Sequence, residues 1–284
     1  MISPKSLSGA GLVFRLPHLD PLLSLLSTEK KSLNLFNNLF NWFELLGDNF
    51  LSPQLPVLSK IDELRKKVPF VLHLTNLSLA SPEPLNREYL LQVDGLVQRY
   101  DPTFISDHLC WSNYQGSYLH DLLPFPFTHQ ALKNISDKIK QLQDRWQRPF
   151  LVENISSYLS FSEDMQDYSE VDFINLLMEK SGGNLLLDIN NIYVSCMNHK
   201  KSYEDFIQNL NLDPVLQIHL AGFSKKQNLL IDTHSHLISE EVWDLFLKVI
   251  QKKGKTPSVL EWDHELPSLQ ILLDETIKIQ KVVG

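Results

Sequence analysis

The sequence predicts an α/β protein of the (β/α)8 class, one TIM barrel spanning residues 1–284 as a single domain. Three observations carry that expectation. Eight short apolar, β-rich runs recur along the chain and alternate with segments of helical periodicity. A length of 284 residues suits a barrel that remains one domain. The glycines of "SGAGLVF" precede the first apolar run instead of opening a helix after it, so the phosphate turn of a doubly wound sheet is missing.

In chain order, the strand-like runs begin with "GLVFR" (11–15), "NWFELL" (41–46), "PFVLHL" (69–74) and "TFISDH" (103–108). The remaining four are "PFLVEN" (149–154), "NLLLDI" (184–189), "VLQIHL" (215–220) and "PSVLEW" (257–262). Between the first two, "TEKKSLNLFNNLF" reads as a helix. In "NREYLLQVDGLVQRY" the residues Tyr89, Leu90, Val93, Leu96 and Val97 share one helical face. "SDKIKQLQDRWQ", "EVDFINLLMEK" and "SYEDFIQNL" repeat the pattern. "SEEVWDLFLKVIQKKG" adds a start signal at Ser239 and a Lys-Lys-Gly stop.

Hydrophobic residues make up 43% of the chain, enough for one sizeable core, and 21% are charged, too ordinary a composition for a disordered protein. The net charge of −8 argues against a nucleic-acid surface, which needs clustered Lys and Arg. Cys110 and Cys196 are the only cysteines; they read as core thiols, not as a disulfide framework or zinc knuckle. The first twenty residues show no signal-peptide core, and runs such as "LLSLL" are too short to cross a bilayer. The expectation is a soluble cytoplasmic protein without a membrane partner.

In a barrel, the C-terminal strand ends and the loops after them build the active face. From the third run onward those ends carry His73, His108, Glu153, Asp188, His219 and Glu261. Beyond the seventh, "IDTHSH" offers Asp232 and His234, two apart on one side of an extended segment. Any one of these, taken alone, is more often a helix cap or a satisfied hydrogen-bonding group. Six consecutive strands ending this way crowd carboxylates and imidazoles at one mouth, a conflict that a cation resolves. The set lacks a thiolate and suits zinc, manganese or iron. Eight ligands exceed the needs of one ion, so at least two ions are expected, with Glu153, Asp188, Asp232 and Glu261 as candidates to bridge them. His120 and His129 flank the Pro-interrupted loop "DLLPFPFT" and read as surface or structural. His18 is a weaker candidate for the barrel mouth. His236 and His264 lie one step from the candidate ligands, and His199, after strand six, is a candidate to face substrate.

Taken in order, "VLHLTNLSLASPEPLN", "ISDHLCWS", "DLLPFPFT", "LVENISSYL", "LLLDINNIYVSCMNH", "QIHLAGF", "IDTHSH", "VW" and "LEWD" form a set. That set resembles the multinuclear non-haem iron-dependent oxidative enzymes, the group of the methanobactin-maturing oxidase, over nearly the whole chain. The resemblance implies a TIM barrel with two or three iron ions in mixed valence and dioxygen as co-substrate. It also implies oxidation of a ribosomally made precursor peptide, at cysteine above all, and a separate protein that delivers the peptide. By motif it makes His73, His108, Glu153, Asp188, His219, Asp232, His234 and Glu261 iron ligands, with Asn191 a weaker candidate beside them. The chain departs from the pattern at Phe223, where the family usually has His, at "DTHSH" for "DTHG", and at Trp262 in "EWD". His236 stands close enough in sequence to substitute for the missing His, and Glu44 with Asp48 and Asn49 stands for an early "E..EN" motif. The competing readings are a zinc- or manganese-dependent hydrolase or isomerase on a xylose isomerase-like barrel, and a non-catalytic scaffold that has kept the fold.

Overall fold

The computed structural model describes residues 7–27, 40–114 and 116–284. Strand β1 (Ala10–Val13) is followed by β2 (Trp42–Leu46), β3 (Phe70–His73) and β4 (Ile105–His108). A hairpin of β5 (Trp111–Tyr114) and β6 (Ser117–Leu123) precedes β7 (Phe150–Glu153), β8 (Asn184–Asp188) and β9 (Val215–Leu220). A second hairpin, β10 (Ser224–Lys226) and β11 (Leu229–Ile231), comes before β12 (Ser258–Leu260). The eight strands outside the hairpins close into a parallel barrel in the order β1-β12-β9-β8-β7-β4-β3-β2. All eight of the sequence-predicted runs supply its strands.

Around it lie α1 (Leu19–Ser27), α2 (Leu58–Arg65), α3 (Arg87–Tyr100), α4 (His129–Trp146) and α5 (Glu170–Ser181). They are followed by α6 (Ile189–Asn198), α7 (Tyr203–Asn209), α8 (Glu240–Lys253) and α9 (Leu269–Val283). The helix expected at 28–40 lies outside the described residues but for Phe40. In α3 the five residues placed on one face are buried. Helix α8 starts where Ser239 accepts from the Val242 N–H and stops before Gly254, at φ +96°. The segment "DLLPFPFT" is a loop only from Pro124, because residues 121–123 finish β6.

Strand alternation sorts every barrel residue to one of two sides. Phe43, Leu45, Phe70, Leu72, Ile105, Phe150, Val152, Leu185, Leu187 and Ile218 join the large apolar cluster beneath the helices. The opposite parity points into the barrel. There Val13, Trp42, Val71, Phe104, Leu151, Leu186 and Val259 form a separate apolar layer. Gly11 makes room for that layer, since a Cβ there would come within 2.6 Å of the Trp42 ring. Two residues beyond Trp42, Val71, Leu151, Leu186 and Val259, the same face carries Glu44, His73, Glu153, Asp188 and Glu261, and β9 adds His219 beyond Gln217. An apolar floor therefore supports a polar storey, as the 2-residue period of a strand dictates.

Candidate metal centre

Glu153, at the end of β7, is fully buried in the middle of that storey. Its Oε2 lies 3.3 Å from His73 Nε2 and 3.4 Å from His108 Nε2, and its Oε1 lies 3.4 Å from His219 Nδ1. His219 Nδ1 is also 3.0 Å from Glu261 Oε2, which in turn stands 3.4 Å from His234 Nδ1. Three groups of donor atoms close enough to share an ion result: His73, His108 and Glu153; Glu153, Asp188, His219 and Glu261; His234, Glu261 and Asp263. Glu153 links the first to the second, and Glu261 links the second to the third.

Asp188 carries two roles, one on each oxygen. Oδ1 accepts from the Asn191 N–H at 2.7 Å and caps α6, while Oδ2 is buried without a partner. Asn154 pairs with the Asp188 backbone in both directions and fixes the β8 terminus beside β7. Asn191 donates to the Asn154 carbonyl, and its own Oδ1, buried and unpartnered, lines the same pocket as the imidazoles. His73 is oriented by Ser106 Oγ, 2.8 Å from its Nδ1.

Asp232 stands on the far side of the His234 ring, 2.6 Å from Nε2, and is held there by Ser156 and Asn190. On the near side, Asp263 Oδ2 lies 3.1 Å from Nδ1, while its Oδ1 pairs with Arg15. Asp263 thus completes the third group, and Asp232 braces its histidine. His234 itself has φ +45°, a left-handed conformation uncommon outside glycine, and its carbonyl is tied to the Asp263 N–H at 2.7 Å.

The other histidines whose side chains are described fall outside this cluster. His18 bonds the Pro267 carbonyl and does not reach the centre. His129 is exposed, pairs with Asp167 and stacks on Tyr168. His120 lies on β6, and His264 offers its carbonyl to Trp262. His199 bonds the Ser157 carbonyl and lines a neighbouring cavity. His236 does not substitute for Phe223, because its ring is engaged by Ser224 and Ser235 while Phe223 stacks on Tyr193. Asp48 organises the loop after β3 through Thr75, Asn76 and Tyr89, and Asn49 is exposed.

Glu44, Asp263 and Gln217 are the site residues that reading the strand ends misses. Glu44 Oε2 lies 3.0 Å from His219 Nε2 and accepts from Gln217 Nε2. The signal for it was parity, since Glu44 is two residues past the inward Trp42. A carboxylate on one imidazole nitrogen leaves the other facing Glu153 and Glu261, which is how proteins aim a ligating histidine. Glu44→Gln is expected to weaken metal affinity by about 10- to 100-fold. Chelator competition measures this, and unchanged affinity would make Glu44 a packing group only.

Burial and the neighbouring charges compete in setting how several of these groups titrate. It pushes His73 well below its ordinary value, helped by His108 and His219. Burial would lower His108 too, but Glu153 and Asp107 outweigh it and raise the ring to about 9. His219 and His234 are likewise carried well up by their carboxylates against burial. Burial raises Glu153 and Asp188, whereas His234 and His219 hold Glu261 well below the usual carboxylate range despite it. Without a cation, then, the cluster neutralises itself with protons. Both Glu153 oxygens, Asp188 Oδ2 and His73 Nε2 are still buried without a hydrogen bond of good geometry. Each such atom costs about 1–3 kcal/mol. Divalent cations relieve that cost, and the oxygen and imidazole donor set suits iron, manganese or zinc. Since His108 is protonated below about 9 and must lose that proton to ligate, affinity should rise with pH toward that value. Calorimetry in buffers of different ionisation enthalpy should record proton release at pH 7; none would contradict this balance.

The centre opens into a pocket of about 520 Å³, walled by Leu119, Asp121 and Leu122 of β6 and by Tyr158. Among the described residues, no helix is long and apolar enough to cross a membrane.

Comparison with known proteins points to one group. The profile of the family described as RiPP precursor modification enzyme MbnB/TglH/ChrH matches residues 9–284. A UPF0276 protein of Acaryochloris marina is 36% identical over 275 residues, covering 97% of this chain and 95% of that one. A UPF0276 protein of Caulobacter vibrioides is 37% identical over 267 residues, covering 94% and 91%. Among solved structures, a 3-keto-D-glucoside 4-epimerase from E. coli aligns over 97% of this chain and 100% of its own, with TM-score 0.56 and 11% identity. Endonuclease IV from Thermus thermophilus aligns over 96% and 97%, with TM-score 0.57 and 11% identity. At that identity these two share the barrel alone.

Proposed function

The chain belongs to the MbnB/TglH/ChrH family of RiPP precursor modification enzymes, and from that premise we propose that it oxidises a cysteine of a ribosomally made precursor peptide with iron and dioxygen. The observation that carries this reading is the chain of three donor groups joined through Glu153 and Glu261. Two or three irons in mixed valence would be held by His73, His108, Glu153, Asp188, His219, His234 and Glu261, with Asp263 taking the ligand place that the sequence offered to Asp232. When bound, iron supplies redox chemistry toward dioxygen and Lewis acidity that lowers a thiol's pKa.

The chain's own residues do the rest. Glu153 and Glu261 each belong to two of the donor groups and would tie those groups into one cluster. Glu44, Ser106 and Asp232 aim the rings of His219, His73 and His234. Asn191 Oδ1 and the Tyr158 ring bound the space in which the substrate thiol is oriented. The apolar layer of Trp42, Val71 and Leu151 keeps water from the rear of the site. A separate protein that delivers the precursor completes the proposal.

Protein purified without oxygen should contain iron at more than one equivalent and consume oxygen when given a cysteine-bearing precursor. Stoichiometric zinc with little iron, and no oxygen uptake, would overturn the reading.

A further inference from the structure

Beside the metal pocket lies a larger cavity of about 760 Å³. Two chain segments wall both. In the first, Leu119, Asp121 and Leu122 face the metal pocket, while Pro124, Phe125 and Phe127 face the second cavity. In the second, Ser156 and Tyr158 face the metal pocket, Ser157, Leu159 and Phe161 face the other, and Ile155 lines both. The two spaces are therefore neighbours, with the 154–161 loop standing between them and Ile155 bordering both.

The second compartment is mostly apolar, yet it contains Glu170, Asp172 and Asp205 against a single cation, Lys201. Asp172 is engaged by Ser169 Oγ. Glu170, in the first turn of α5, has no ion pair or hydrogen bond among the described residues. Burial pushes its carboxyl up to about 7, with Lys201 opposing. A half-buried carboxyl without a partner, in a cavity that Phe127, Phe161 and Phe206 also line, suits a long apolar stem ending in a positive charge.

We propose that this compartment seats the stretch of precursor peptide adjoining the reacting residue, and that it selects a lysine or arginine there through Glu170. The inference rests on the peptide substrate argued above. A peptide whose reacting thiol sits in the metal pocket reaches the compartment by crossing the 154–161 loop, where Ile155 borders both spaces. Glu170 then serves in specificity and touches no metal.

The test uses the iron-loaded full chain and short fluorescein-labelled peptides, each with a central cysteine flanked on both sides by Lys-Phe or by Glu-Phe. Fluorescence anisotropy should show the Lys-Phe peptide binding about tenfold tighter, equivalent to about 1.4 kcal/mol. Glu170→Gln should erase the preference, and Glu170→Lys should invert it, with iron content unchanged in both. No preference in the wild-type chain, or one that both variants leave intact, overturns the proposal. Thiol-dependent oxygen uptake on the same samples separates the two claims. Preference without uptake sustains the compartment and sinks the oxidative reading; uptake without preference does the reverse.

Discussion

Exchanging Glu153 for glutamine should strip the shared ligand from two of the three donor groups at once, leaving only His234, Glu261 and Asp263 complete. Metal content should fall accordingly, and peptide-dependent oxygen uptake should drop below detection. The metal-free variant should nevertheless be more stable than the metal-free wild type. Glutamine removes a carboxylate that burial disfavours, and whose oxygens lack good hydrogen bonds, at a gain of about 1–3 kcal/mol. For a chain of this size that corresponds to roughly 2–4 °C per kcal/mol. Elemental analysis and thermal melts in chelator read the two effects separately. A variant that melts lower yet keeps its metal would make Glu153 a brace for the fold, and the site would have to be redrawn.

Trp42→Ala should be among the most damaging substitutions outside the polar storey. The side chain is fully buried in the barrel floor, and losing it should cost about 3–5 kcal/mol. Gly11 supplies an internal control. Because its absent Cβ would meet the Trp42 ring at 2.6 Å, Gly11→Ala should destabilise the wild type but be close to neutral beside Trp42→Ala. Urea unfolding of the two single variants and the double variant completes the cycle. Simple additivity would show that the hollow at Gly11 exists for some other reason.

The barrel was legible because every one of its strands is an apolar run bounded by turns, and because outward and inward faces are both buried, so the runs are nearly continuous. The hairpins β5–β6 and β10–β11 were not: most of their residues are exposed or half-buried, and "SKK" carries no strand signal. Helix α6 escaped notice for the opposite reason. From Ile189 to Cys196 it is buried throughout, so no polar face marks its period. At the site, reading strand ends from the third run onward found most of the cluster but passed over β2. Glu44 sits within that strand, two residues before its end, where parity followed from Trp42 marks it and the family motif also named it. Asp263 follows Glu261 by the same two-residue step. The division of labour between Asp232 and Asp263 depends on which ring edge of His234 each meets, and that is set by a left-handed backbone no local pattern announces.

The plugged lower end of the barrel has a kinetic corollary. With Trp42 and its neighbours sealing one side, ions and polypeptide must share a single doorway. A docked peptide would lie across the route by which metal enters or escapes, so loading should precede docking. Chelators should then extract metal more slowly from the peptide-bound protein than from the free one.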